Sequence, residues 1–468
     1  MKLVKRFTAC LFVLILTANA FAFSCFAAAQ DTAFKPVLRF IASSDTHVRD
    51  DSDMTVDRIG KMLDLGYAAA ASDPSYGKLD ALLIAGDLTN DGTETEFVKF
   101  RDAVFGSLRD GTRFLGVVAK NHDGYKMRRA KMRDVYETLT GNDADFHVVI
   151  GGYHFIGLSA SKNDLAHYDA GQLIWLKKQL DAAVADDPDK PVFVMHHEHV
   201  MNTVYGSTAY EMWGVPYFTA ILRQYPQVVD FSGHSHYPLN DPRSIWQGEF
   251  TAIGTGAIYY ADFCIGAARS YDVDDEYDVS TCWIVEVDAA NRIRLVGMDV
   301  LAGEALCEYV LDNPADPANR DYTPAKRKAS SAAPVFPAGS ALTVREDGDK
   351  RILAIPAAQP TDGMPVVLYR VTVQNKHGVT VNRDWTLPKY YYVNDQDTIE
   401  HTLRGVPAGK YTVRVVAETA YGVQSEALET QVQIGAYVCP RCGETHTGFA
   451  GFFTALFHRI AYAVLLVF

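Results

Sequence analysis

The sequence predicts an α/β domain followed by an all-β sandwich, and three observations lead there. From Val37 to about Val300, short apolar runs alternate with stretches of helical spacing. The segment DNPADPANRDYTPAKRKASSAA (Asp312–Ala333) is rich in Pro, Ala and charge and has no apolar period. Beyond it come short alternating segments broken by Gly, Pro and Asp. Alternation of strand and helix builds a sheet covered by helices, an aperiodic polar stretch joins domains, and short, evenly spaced strands stack as a sandwich.

Taken in order, VLRFIASSD, ALLIAGD, RFLGVVAKN, HVVIGGYHFIGLSA, PVFVMHH and VVDFSGHSH read as strands, while TETEFVKFRDAVFGSL and AGQLIWLKKQLDAAVAD have helical spacing. Polar residues sit just after the apolar runs, where an α/β sheet collects its ligands. After the aperiodic stretch, VLYRVTVQN, HTLRGV and KYTVRVVAETAYG alternate as sandwich strands. The boundaries that follow are 1–29 for a leader, 36–305 for the α/β domain, 306–333 for a linker, 334–436 for the sandwich and 437–468 for a tail.

At 468 residues, with 48% hydrophobic and 22% charged residues, the chain is long enough for two or three cores and has an ordinary globular composition. Its start, with Lys2, Lys5 and Arg6 before an apolar run and Ala27-Ala28-Ala29, has the layout of a secretory signal peptide cleaved after Ala29. An uncleaved anchor is the alternative. A lipid attached through Cys25 fits less well, because Ala22-Phe23-Ser24 lacks the expected leucine. Loss of residues 1–29 moves the formal charge from −13 to −16, which disfavours a nucleic acid or anionic lipid as a long-range partner. Five cysteines then remain, Cys264, Cys282, Cys307, Cys439 and Cys442, so at least one is unpaired or bound to metal.

The chemistry lies at the strand ends. Asp45-Thr46-His47 alone says little, but GDLTNDG (Gly86–Gly92), NHD (Asn121–Asp123), MHH (Met195–His197) and GHSH (Gly233–His236) each follow an apolar strand. Together they offer imidazoles, carboxylates and an amide, a donor set suited to two transition-metal ions such as Mn, Fe or Zn rather than to calcium or a lone magnesium. A pair of ions needs a bridging group, and Asp87 is the natural carboxylate for it.

In this order the five motifs resemble the calcineurin-like metallophosphoesterase family over about 260 residues. The resemblance implies a β-sandwich flanked by helices and a binuclear centre. By the resemblance, Asp45, His47 and His236 hold one ion, Asn121, His234 and a histidine of the MHH segment the other, and Asp87 joins them. His196, which directly ends PVFVM, is preferred for that histidine, with His197 the alternative. The family's reaction is attack on phosphorus by a metal-bridging hydroxide, on phosphomonoesters or phosphodiesters, with His122 protonating the leaving oxygen. Candidate catalytic residues are therefore His122 and Asp123.

The sequence departs from the family at Lys120, where glycine is usual, and at Asn90, where a carboxylate often orients the acid. Asn90, Asp91 and Asp123 all remain open as the group that steadies His122. His154 is expected on a strand and His147 and His167 at the surface or at turns, while His199 is a candidate pocket residue. Tyr259-Tyr260 are expected to pack in the core rather than to wall the site.

LRGVPAGKYTVRVVAETAYGVQS resembles the end of a fibronectin type III domain, with Tyr411 at its tyrosine corner, although Ile355 replaces the usual core tryptophan. In the tail, Cys439-x-x-Cys442 with His446 and His458 suits zinc or a disulfide. The final twenty residues form an apolar helical stripe interrupted by His458-Arg459, favouring an interfacial or docking helix over a span. This pattern resembles tails of surface proteins from Gram-positive gut bacteria and implies envelope retention. The rival reading is a non-catalytic surface protein that binds through its sandwich.

Overall fold

In the computed structural model, residues 34–434 are described apart from 210, 263, 266–267, 270–275, 348–349, 392–396 and 408. The first domain is built on twelve main strands: β1 Pro36–Ser43, β2 Ala81–Ala85, β3 Arg113–Val117, β4 Phe146–Ile150, β5 Tyr153–Gly157, β6 Val192–Met195, β7 Val228–Ser232, β8 Ile245–Gln247, β9 Thr251–Gly254, β10 Thr281–Asp288, β11 Ile293–Asp299 and β12 Glu304–Leu311. They form two six-stranded sheets, β12-β11-β10-β1-β2-β3 and β8-β9-β7-β6-β5-β4. Strands β1, β2 and β3 run parallel, as do β5, β6, β7 and β9.

Strand periodicity explains why the two sheets stack. Leu38, Phe40 and Ala42 of β1 point between the sheets, whereas Ile41 points outward. Phe40 meets Phe155 and Phe193 of the opposite sheet edge-on, with ring centroids 5.4 and 5.0 Å apart. The outer faces are covered by helices. Helices α1 (Met54–Ser72), α2 (Glu94–Ser107) and α3 (Arg129–Thr140) cover the first sheet, and α4 (Ala170–Asp186) covers the second. Capping boxes start α2, at Thr93 and Glu96, and α4, at Asp169 and Gln172. Among the described residues, no helix is long and apolar enough to cross a membrane.

The stretch 306–333, expected as a linker, differs from that expectation. Its start completes edge strand β12, and Thr323 caps a further helix, α5 (Pro324–Ser330). Arg320 donates to the carbonyls of Glu249 at 2.7 Å and Pro226 at 3.3 Å, which docks the connection onto the first domain. Composition could not show this, because the anchoring acceptors are backbone carbonyls of another segment.

Strands β13 (Thr343–Asp347), β14 (Lys350–Pro356), β15 (Val366–Asn375), β16 (Thr380–Thr386), β17 (Thr398–Thr402), β18 (Gly409–Thr419) and β19 (Leu428–Ile434) form a second, all-β unit. Its sheets are β13-β14-β17 and β16-β15-β18-β19. Ile355, Tyr369, Tyr411, Val413 and Val415 belong to the core between them. Residues 1–33 and 435–468 lie outside the described residues, and with them the leader, Cys439, Cys442, His446, His458 and the apolar stripe. Cys282 and Cys307 are free thiols.

A buried charge locks β1 to β10. Arg39, fully buried and opposite Glu286, donates to the Glu286 carboxylate at 2.6 Å, to Asp73 at 2.7 Å and to the Lys78 carbonyl at 3.1 Å. Arg39→Met is expected to lower unfolding stability by about 3 kcal/mol, the lower end for breaking a buried pair because Arg294 still reaches Glu286. Urea unfolding of the full chain measures it, and a loss below about 1 kcal/mol would show that the pair contributes no more than a surface one.

Candidate metal centre

The parallel strands of both sheets end at one edge, and the loops leaving those ends converge. Asp45 and His47 follow β1, Asp87 follows β2, Asn121 follows β3, His197 follows β6, and His234 and His236 follow β7. Backbone bonds zip the first two loops together: Asp45 N–H donates to Gly86 O, His47 N–H to Asp87 O and Val48 N–H to Leu88 O, each at 3.0 Å. A further clasp runs from Gly233 N–H to His197 O at 2.8 Å.

Asp45, His47, Asp87, His234 and His236 all have positive φ, between 42 and 72°. Non-glycine residues hold the left-handed conformation at about 1–3 kcal/mol each, and such strain gathers where side chains must be aimed. Here it turns both Asp45 and His47, and both His234 and His236, toward one centre. Two glycines make room for this. A Cβ on Gly86 (φ 87°) would stand 2.7 Å from the His197 ring, and one on Gly233 would stand 2.4 Å from Asp45 Oδ2.

Imidazole nitrogens face one another across the centre. His47 Nε2 lies 3.3 Å from His236 Nε2, and His197 Nε2 lies 3.1 Å from His234 Nδ1. Two outer nitrogens are engaged: His197 Nδ1–H donates to Ala85 O at 2.9 Å and His236 Nδ1–H to Tyr260 O at 3.1 Å. Their inward nitrogens therefore present lone pairs, the arrangement by which second-shell carbonyls orient metal-binding histidines.

The carboxylates complete the set. Asp45 Oδ1 is 3.0 Å from His236 Nε2, and Asp87 Oδ2 is 3.1 Å from His197 Nε2, 3.8 Å from His47 Nε2 and 2.9 Å from Asn121 Nδ2. Three groups result whose donor atoms lie within 4.8 Å of one another: Asp45, His47 and His236; His47, Asp87 and His122; and Asp87, His197 and His234.

Electrostatics agree with a cation-binding purpose. Burial would raise Asp45 and Asp87, but the His236 and His197 charges beside Asp45, and the His197 charge beside Asp87, hold both carboxyls below the ordinary range. Burial would depress His197, yet Asp87 and Asp45 raise it well above the ordinary imidazole value. Burial takes His234 down to about 4, with His197 acting in the same direction. Ring nitrogens and carboxylates crowded this closely need positive charge between them, as protons or as metal ions that displace those protons. Asp87 Oδ1, Asn121 Oδ1 and His47 Nδ1 are buried without a hydrogen-bond partner. The residues fit two ions.

The sequence of residues 38–238 matches the model of the calcineurin-like phosphoesterases. These residues form a calcineurin-like phosphoesterase domain. The family implies a binuclear divalent metal centre of the kind the strand-end cluster can hold. No curated protein matches the chain. Among solved structures, a purple acid phosphatase from yellow lupin (Lupinus luteus) seeds aligns at 12% identity and a TM-score of 0.41. That alignment covers 59% of this chain and 53% of the phosphatase, so the chain spans about half of its length. A myokine structure aligns at 17% identity and a TM-score of 0.16, covering 23% of this chain and 99% of its own. The twitchin kinase region of C. elegans aligns at 20% identity and a TM-score of 0.16, covering 23% and 17% respectively.

One expected ligand is corrected. His196 does not face the centre; its Nε2 lies 2.8 Å from Asp230 Oδ1, both residues are fully buried, and its ring lies 4.2 Å from that of Phe218. The reason is strand parity. Phe193 and Met195 of β6 point between the sheets and Val194 toward the helix layer, so the next residue, His196, points toward that layer too. His197 takes the inward place. The parity was available in PVFVMHH, and the Asp230 of VVDFSGHSH, buried on the same outer face, was the signal that His196 had another partner.

Asp123 is corrected as well. Its carboxylate accepts from Thr89 N–H and Oγ1–H at 2.9 Å and from Ala119 N–H at 2.8 Å, so it ties two site loops together and does not contact His122. Burial, aided by Asp87, pushes it up to about 7. His122 is steadied instead by the Asn90 backbone carbonyl, which its Nδ1 meets at 2.7 Å. The side chain at position 90 is therefore not what orients the histidine, and Asn90 uses its amide on Asp91 at 2.9 Å. Lys120 is exposed.

Tyr259 and Tyr260 are half-buried beside the centre rather than packed in the core, at 5.3 Å from the His47 ring and 4.3 Å from the His236 ring respectively. His199 is buried between the hydroxyls of Ser232 at 2.9 Å and Ser235 at 2.7 Å and supports the GHSH loop. His147 and His154 bond to each other at 2.8 Å, and His167 bonds to the buried Glu198. Trp213, which sequence reading missed, meets the His234 ring edge-on at 5.0 Å; it stands in an irregular loop without periodicity to reveal it.

The two histidines should separate experimentally. His197→Ala is expected to lose one of the two bound ions at micromolar free metal. His196→Ala should keep both and instead lose about 3 kcal/mol of stability, because it leaves a cavity beside Phe218 in a fully buried site. Metal content by mass spectrometry and thermal melts decide this, and metal loss in the His196 variant would reverse the assignment.

Proposed function

We propose that the chain is an exported phosphoester hydrolase acting on phosphomonoesters or phosphodiesters. The observation that carries this reading is the overlap of the three donor groups, which share His47 and Asp87. Asp45, His47 and His236 would hold one ion, Asn121, His197 and His234 the other, with Asp87 between them. Two bound divalent ions supply an activated water and neutralise charge on the phosphoryl oxygens. The chain's own acid is His122. With Nδ1 held by the Asn90 carbonyl, its Nε2 is left to give a proton to the leaving oxygen. The ring stands edge-on to His47 at 4.3 Å, next to the proposed ions.

The second unit reads as a fibronectin type III-like sandwich. Its three-plus-four arrangement of seven strands and the buried Tyr411 support this. Export rests on the basic, apolar and small-residue pattern of residues 1–29, and envelope retention on the apolar stripe of the last twenty residues.

Chromogenic monoesters and diesters, assayed with Mn2+, Fe2+ or Zn2+ added to metal-free protein, test the reaction class; absence of metal-stimulated turnover on every ester would sink it. Asp87→Asn is expected to abolish turnover and release metal together, because it removes the shared charge. For His122→Ala, metal content should hold, and rate should fall by about 100-fold on alkyl esters but little on nitrophenyl esters, whose leaving groups need no proton. Equal losses on both would remove His122 from the acid's role.

A further inference from the structure

The sandwich does not hang beside the phosphoesterase domain; it presses on the two loops that hold His236. Between β16 and β17, Leu387, Tyr390 and Tyr391 form a cluster with Ala261 and Val279 of the first domain, and Tyr391, Ala261 and Val279 are all at most 3% exposed. Ala261 directly follows Tyr260, whose carbonyl accepts from His236 Nδ1–H. Asp262 N–H donates to His236 O at 3.0 Å, so residues 260–262 form a strap along His236, and Tyr391 covers it.

On the other side of the same loop, the Asn240 amide donates to the Tyr390 carbonyl, Tyr390 OH reaches Asp241 Oδ2 at 3.3 Å, and Tyr421 OH reaches Pro242 O at 3.3 Å. Asp241 is fully buried and holds Arg243 at 2.8 Å. The Arg243 guanidinium lies 3.7 Å from the centre of the Tyr205 ring, which packs 4.4 Å from Tyr237, the residue after His236.

We infer that the sandwich is a working part of the metal centre: Tyr390 and Tyr391 are positioning residues that hold the His236 loop and its orienting carbonyl in place. This rests on the phosphoesterase reading above. His236 stands at φ 57°, a strained conformation that persists where its surroundings over-determine it. Its direct partners are Asp45, Tyr260 and Asp262, and the second domain packs behind them on Ala261, Asn240 and Asp241. Loss of an outer partner of a metal-binding histidine lowers metal affinity by about 10- to 100-fold, and loosening the strap acts on the same carbonyl.

The test uses the full chain. Mn2+ alone is titrated calorimetrically into the metal-free parent and into Tyr391→Ala, Asn240→Ala and the conservative Tyr391→Phe, with turnover and thermal melts recorded alongside. The expected result is that Tyr391→Ala and Asn240→Ala weaken one of two binding steps by about 10-fold or more and lower kcat, well below their melting temperatures. Tyr391→Phe keeps the ring over Ala261 and should restore most of the affinity and kcat lost in Tyr391→Ala. If Tyr391→Ala does not fold, Asn240→Ala, which removes a single amide, decides. Binding and kcat within twofold of the parent in folded variants overturn the inference while leaving the phosphoesterase reading intact. A parent that binds no Mn2+ and hydrolyses no ester overturns both.

Discussion

The constraint on which the rest depends is the crowding of two carboxylates and four imidazoles into one small volume, all of them buried except the half-buried His234. Asp45 and Asp87 are at most 1% exposed, and the ring nitrogens of two histidine pairs face each other at 3.1–3.3 Å. Such a cluster is tolerable only with positive charge at its centre. The sheet geometry follows from the need to bring these groups together: parallel strands deliver their loops to one edge, left-handed residues aim the side chains, and Gly86 and Gly233 let neighbouring loops touch. The strain at five residues and the crowding of lone pairs are both offset when a cation binds.

Much of the α/β domain was legible because strand and helix periods differ and the ligand motifs fall where apolar runs stop. The order of motifs pointed to the strand ends where the cluster lies. What escaped came from two physical sources. One was orientation: the two imidazoles of MHH leave the end of one strand on opposite faces, and choosing between them required counting parity from Phe193 and noticing that Asp230 is also buried. The other was the backbone as a partner. His122 is held by the Asn90 carbonyl and the linker by carbonyls of Pro226 and Glu249, and a sequence does not show which carbonyl lies near which donor.

Asp123 illustrates why proximity in sequence misleads. Standing next to His122, it reads as a catalytic companion, yet its two oxygens satisfy three donors on Thr89 and Ala119. A carboxylate that accepts several bonds inside a loop is spent on holding that loop. Its service to the site is indirect, since Thr89 follows the Asp87 loop and Ala119 precedes Asn121. The same logic places His199 between Ser232 and Ser235, below the two histidines of GHSH. Around the ligands runs a layer of polar residues whose work is to fix loops.

That layer extends across the domain boundary. An independent spacer would meet the first domain through a small, polar and replaceable surface. Here buried rings meet the strap at Ala261, a buried carboxylate at Asp241 is reached by a tyrosine of the sandwich, and the connecting segment is itself docked, with Ser331 Oγ 3.0 Å from Thr419 Oγ1. A loop bearing a metal ligand in a strained conformation gains from contacts that cannot move independently of a second core. Packing a whole sandwich behind His236 supplies that rigidity without adding, among the described residues, any group to the chemistry, so a domain can tune a metal centre through the loops it supports.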